Sequence, residues 1–160
     1  MKTLTLIFAL LLTAGTVSSQ SNGATTGGYK APTLNAKYVK DLGFGGQTFT
    51  KKTEGVWVLA NGVTVYSSHP WGDNIKGFNG ATPLFVAVDK GYKVAAVAPA
   101  VNTETPDFWT KVKKSKLFKA WNGLTLTKAA QKKVDAVSGA TYSSRAVIQT
   151  VRATISNIKK

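Results

Sequence analysis

The sequence contains no cysteine. Disulfides, thiolate zinc sites, cysteine nucleophiles and iron–sulfur clusters are thereby excluded, as is a lipid anchor on cysteine at a signal junction. Histidine is nearly absent as well: His69 stands alone, so no multi-histidine metal or haem site can be built. A Ser-His-Asp hydrolase would have to use that residue, but His69-Pro70-Trp71 reads as a turn between strands. Acidic side chains are few, 7 against 21 basic ones, for a formal charge of +14. An excess of that size suits a nucleic acid, an anionic surface or an acidic protein partner. The basic residues are dispersed, however, in pairs such as Lys51-Lys52, Lys113-Lys114 and Lys132-Lys133, with no arginine-rich cluster. Dispersal and the export signal at the N-terminus argue against nucleic acid. A merely solvated surface and attraction to an anionic or acidic partner both remain open.

Long hydrophobic runs are scarce too. The main one is Leu4 to Leu12, which follows Lys2 and leads to the small residues Val17, Ser18 and Ser19. This is the order of a secretory signal peptide. The run is short for a spanning helix, which needs roughly 20 residues, so cleavage after Ser19 is expected rather than a retained anchor. Residues 1–19 are therefore read as a signal peptide. Residues 20–36, rich in Ser, Gly, Thr, Asn and Ala, are read as a flexible leader, and 37–160 as one domain. The mature chain is expected outside the cytoplasm, periplasmic or extracellular, free or at the membrane surface.

Within the domain, strands precede helices. A β-prone run, Gln47 to Thr53, follows Gly43, Gly45 and Gly46. Val56–Leu59 and Val63–Tyr66 flank Ala60-Asn61-Gly62, and Asn-Gly between apolar runs is a strong hairpin signal. Pro83–Val88 and Tyr92–Ala98 flank Asp89-Lys90-Gly91 as a second hairpin. Thr105 can cap a helix with Pro106 at its first position and Asp107 at the positive end of its dipole. Thr127 can cap a short helix, Lys128 to Lys133. From Thr141, the spacing of Val147, Ile148, Val151, Ile155 and Ile158 gives one apolar helical stripe. The expected fold is α+β: an antiparallel sheet of hairpins with helices packed on one face, the C-terminal helix among them.

One segment concentrates candidate chemistry: Asp135-Ala136-Val137-Ser138-Gly139-Ala140-Thr141-Tyr142-Ser143-Ser144. Gly139 permits a tight turn just before a long helix, whose first N–H groups lack intrahelical acceptors and lie at the positive end of the dipole. That arrangement binds phosphate. Thr141, Ser143 and Ser144 add hydroxyls, and Arg145 adds charge. The same residues also suit a simple helix start with Ser138 or Thr141 as its cap. On the residues alone, both readings stand.

Asp135-x-x-Ser138-Gly139-Ala140-Thr141 also resembles the flavinylation motif of the FMN-binding domain family, found in the extracytoplasmic subunits of sodium-pumping NADH:quinone reductase and of the Rnf complex and in small exported redox proteins. Ala81–Val86 with Tyr92-Lys93-Val94 is similar to the family's central hairpin, and Asn102–Phe108 to its glutamate–threonine segment. The resemblance covers about residues 80 to 158. It implies FMN joined by a phosphoester to the Thr141 hydroxyl by a flavin transferase that uses FAD and Mg²⁺. It implies that Asp135 acts in recognition or positioning, and that Ser138, Gly139 and Ala140 shape the loop holding the phosphate. Ser143 and Ser144 are further candidates there, and Glu104 and Thr105 are candidate flavin neighbours. Trp57, Trp71, Trp109 and Trp121 are large enough to stack on an isoalloxazine ring, although aromatics also bury well without a ligand.

The expected function is then an exported electron carrier served by redox donor and acceptor proteins or a membrane electron-transfer complex. The alternatives are an extracytoplasmic flavoenzyme reducing a small acceptor, and a non-flavin surface binding module whose helix cap mimics the motif.

Overall fold

In the computed structural model, residues 31–159 are described; the segment read as a signal peptide and most of the stretch read as a leader lie outside the described residues. The fold is organised around Leu84–Val88, apolar at every position and buried at every position. A strand apolar on both sides must be covered on both faces, and this one is.

It is the fourth strand, β4, of a five-stranded antiparallel sheet in the order β1–β2–β3–β4–β5. The others are β1 (Phe49–Thr53), β2 (Val56–Leu59), β3 (Thr64–Ser67) and β5 (Val94–Pro99). Both expected hairpins form, β2 with β3 and β4 with β5. In the first turn the Asn61 side chain accepts the Val63 N–H at 3.1 Å. In the second, Asp89 accepts the Gly91 and Lys93 N–H groups at 2.8 and 2.9 Å. These are the local bonds that make Asn and Asp turn residues.

On one face, Leu84, Val86 and Val88 join Val94 and Val97 in a core with three helices: α2 (Pro106–Lys114), α3 (Leu126–Gln131) and α4 (Thr141–Asn157). A short 3₁₀ turn, Leu117–Lys119, links α2 to α3. The stripe of α4 docks as the spacing implies, with Val147, Ile148, Val151, Ile155 and Ile158 all buried. Each such side chain is worth about 1.5–3 kcal/mol of transfer free energy, so the stripe fixes where α4 begins and ends over the sheet. None of the described helices is long and apolar enough to cross a membrane.

The other face carries an element the sequence reading did not include, α1 (Ala36–Asp41). Tyr38, Val39 and Leu42 pack on Phe85, Ala87 and Ala98, with the Tyr38 and Phe85 rings 4.9 Å apart. Leu34 is buried beneath it, and the Asn35 side chain caps it by accepting the Tyr38 N–H at 3.1 Å. The domain therefore begins within the stretch read as leader.

Of the two shorter helices, one starts where expected and one does not. α2 begins at Pro106, with Asp107 in its first turn, but the Thr105 side chain makes no capping bond. α3 starts at Leu126, capped by Thr125 rather than Thr127. The earlier start places Leu126 and Ala129 on the buried side.

Candidate functional site

The start of α4 is unusual for what it lacks. Its N-cap position is Ala140, and no side chain caps it. Neither Ser138 nor Thr141 takes that role, so the simple capping reading fails. The first-turn N–H groups are left without side-chain acceptors at the positive end of a 17-residue helix.

The turn before it is built for that conformation. The Ala140 N–H closes on the Val137 carbonyl at 3.0 Å. Gly139 sits at φ 71°, a left-handed geometry that favours glycine. Ser144, one turn into the helix, ties the turn down from beneath. Its Oγ accepts the Val137 N–H at 2.9 Å and donates to the Ala140 carbonyl at 2.8 Å. Ser138, Gly139 and Tyr142 are thereby left on the surface, while Thr141 is half-buried at the helix start. Lys111 reaches across from α2 with its Nζ 3.5 Å from the Gly139 carbonyl.

A second layer supports this turn. Glu104, only 6% exposed, lies just before α2. Its carboxylate accepts the Phe78 N–H at 3.1 Å, the Asn79 N–H at 2.8 Å and the hydroxyl of buried Ser143. A buried carboxylate needs such donors to offset its lost hydration. The loop must come close to supply them: a Cβ on Gly77 would meet the carboxylate at 2.8 Å. Glu104 thus fastens the 77–80 loop to the first turn of α4.

The structure brings Glu104, Ser143, Ser144, Gly139, Ala140 and Thr141 into one assembly. It gives the hydroxyls of Ser143 and Ser144 inward hydrogen bonds, to Glu104 and across the turn. Thr105 is half-buried at the start of α2. Asp135 lies apart, exposed, in a cleft of about 360 Å³ shared with Arg145, Gln149 and Arg152. Trp57 and Trp121 are core residues, and Trp109 is half-buried edge-on to Phe118. Trp71 is half-buried in the turn after β3, where His69 contacts Asp73 at 2.5 Å. The aromatic residues beside the site are others: Phe78 and Phe108, whose rings meet edge to face at 5.0 Å. They and Lys111 were missed because Gly-rich loops and helix faces give no periodic sign of a ligand. The one available clue was Phe78 itself, a large apolar residue in a glycine-rich loop.

The assembly suits a phosphorylated flavin. The uncapped helix start and Lys111 offer unpaired donors and positive charge to a phosphate, and Thr141 offers a hydroxyl at the same place. No curated protein matches the chain significantly. The family model of the FMN-binding domain matches residues 77–156 of the 160. That span opens at the loop held by Glu104 and closes within α4, so it encloses both halves of the site. The chain belongs to the FMN-binding domain family, and FMN is its cofactor.

Proposed function

We propose that this flavoprotein is an exported electron carrier whose FMN is bonded through its phosphate to Thr141. The observation that carries the proposal is the bare start of α4, where a half-buried threonine follows a left-handed glycine and no side chain occupies the cap. Attachment would take the FMN half of FAD. The Thr141 Oγ would attack the flavin-side phosphorus, the pyrophosphate bond would break with AMP as leaving group, and the hydroxyl proton would pass to a base of the transferase. The Mg²⁺ and the base belong to the flavin transferase, so this chain needs neither. Asp135 would serve recognition by the transferase, which fits its exposure. When attached, FMN supplies the redox chemistry, and the protein supplies position and electrostatics.

Covalent attachment suits an exported protein, because a dissociable cofactor would be lost by dilution. The carrier reading suits the surface. The large cleft of about 800 Å³ is lined by Glu104, Pro106 and Trp109 but by no residue from 135 to 144, and the smaller one reaches Asp135 and Ala136 but not Thr141. The +14 charge suits an acidic redox partner or an anionic membrane surface.

The test is co-expression with a flavin transferase. Intact mass should rise by FMN less one water, and yellow colour should survive denaturation. Thr141→Ala should abolish both and remain folded, since no capping bond is lost with the hydroxyl. Covalent flavin on Thr141→Ala would overturn the attachment site. Colour that washes out of the denatured wild type would overturn covalency.

A further inference from the structure

We infer that the Phe78–Phe108 pair is the surface on which the isoalloxazine ring rests, with Glu104 as the positioning residue that holds it there. The inference builds on the attachment of FMN at Thr141 proposed above.

Phe78 is 58% exposed. An exposed phenyl ring on a loose loop would fold inward or move freely. Here the backbone beneath it is fastened, because the Phe78 N–H itself donates to Glu104. The next residue, Asn79, is held three times over. Its N–H donates to Glu104 at 2.8 Å, its side-chain amide donates to the Thr103 carbonyl at 2.7 Å, and its own carbonyl accepts the Thr103 hydroxyl at 3.0 Å. The ring is therefore displayed from a rigid frame, and it packs nearly perpendicular to the Phe108 ring, with centres 5.0 Å apart at 82°.

The frame is tied to the attachment turn twice. Glu104 accepts the hydroxyl of Ser143, two residues past Thr141. On the α2 side, Lys111 places its Nζ 6.0 Å from the centre of the Phe108 ring and 3.5 Å from the Gly139 carbonyl. An exposed aromatic face beside a tethered flavin, with a cation between face and turn, fits a flat, electron-poor ring carried on an anionic arm. The buried tryptophans offer no such face.

The test uses the full chain loaded by a flavin transferase, with intact mass confirming equal covalent load. Flavin fluorescence anisotropy and iodide quenching then report whether the ring is docked. Phe78→Ala should lower the ratio of docked to undocked ring about two- to tenfold, the worth of one aromatic contact, with lower anisotropy and stronger quenching by iodide. Phe78→Trp should restore docking and quench the flavin emission by contact with the indole. Unchanged anisotropy in Phe78→Ala together with unquenched emission in Phe78→Trp overturns the inference and leaves the attachment reading intact. So does loss of docking in Tyr142→Ala alone, since Tyr142 is the other exposed aromatic at the turn, 70% exposed. A wild type that takes no covalent flavin overturns both.

Discussion

The Ser144 hydroxyl accepts the Val137 N–H at 2.9 Å and donates to the Ala140 carbonyl at 2.8 Å, so one buried side chain spans the whole turn that precedes α4. A serine here does the work that a cap would do, but from inside. The outer side of the turn is thereby left open. Ser144→Ala should strand the Val137 N–H, at a cost of about 1–3 kcal/mol. A fall in unfolding free energy of that size, read from a lower urea midpoint at unchanged slope, is expected, with slower flavin attachment in the transferase assay. An unchanged midpoint would show that the turn holds without this bond.

Glu104 presents a different balance. It satisfies three donors from two segments. Glu104→Gln keeps the shape but turns an amide N–H₂ toward groups that need acceptors. The variant should lose about 1–3 kcal/mol, and the amides of Phe78 and Asn79 should exchange with solvent faster than in the wild type. Ser143→Ala removes only one donor and leaves two, so its effect should be smaller. Equal effects of the two variants would contradict this division of roles.

What the sequence revealed follows from where its signals were strong. Asn61-Gly62 and Asp89-Lys90-Gly91 marked hairpins because turn chemistry is local, and both form. The stripe of α4 was legible because a 3.6-residue repeat over 17 residues is hard to mistake. α1 was not, because six residues barely show a period. Its presence was nevertheless implied by Leu84–Val88, an apolar run that needs cover on both faces. At the site, Gly139 and Thr141 were readable as a turn and hydroxyl before a helix. That Ser143 and Ser144 point inward was not, because a hydroxyl's direction depends on Glu104 and Val137, distant in sequence or across the turn.

Burial holds the Tyr66 phenol above its usual value, with a smaller contribution from Tyr92. A raised folded pKa means that the unfolded chain releases this proton first. The stabilising contribution is complete below the usual phenol value of about 10 and declines as pH rises above it. Wild-type stability should therefore fall more steeply than that of Tyr66→Phe above that pH. Parallel curves of melting temperature against pH for the two proteins would show that Tyr66 is not the group responsible.

The proposed export implies a defined mature terminus. Cleavage after Ser19 should yield material beginning at Gln20. N-terminal sequencing of the exported protein checks this directly. Exported material that retains Leu4 to Leu12 would show that the segment acts as an anchor.

Gly139 offers the sharpest separation of fold from function. It sits at φ 71°, where a side chain adds roughly 1–2 kcal/mol of backbone strain. An added Cβ would lie 3.0 Å from the Lys111 Nζ. That atom ends a flexible, exposed side chain and can move aside, so Gly139→Ala should remain folded with a modest loss of stability. Its effect on flavin attachment should be larger, because the turn would shift to relieve the strain and Lys111 would be displaced from the same place. Ser138→Ala is the companion variant. Ser138 is exposed, so its loss should leave stability unchanged, and any fall in attachment would then report on recognition alone. Melting temperature and transferase labelling rate, measured on both variants, separate the two effects. Wild-type labelling of Gly139→Ala would mean that the turn's left-handed geometry is not needed to present Thr141.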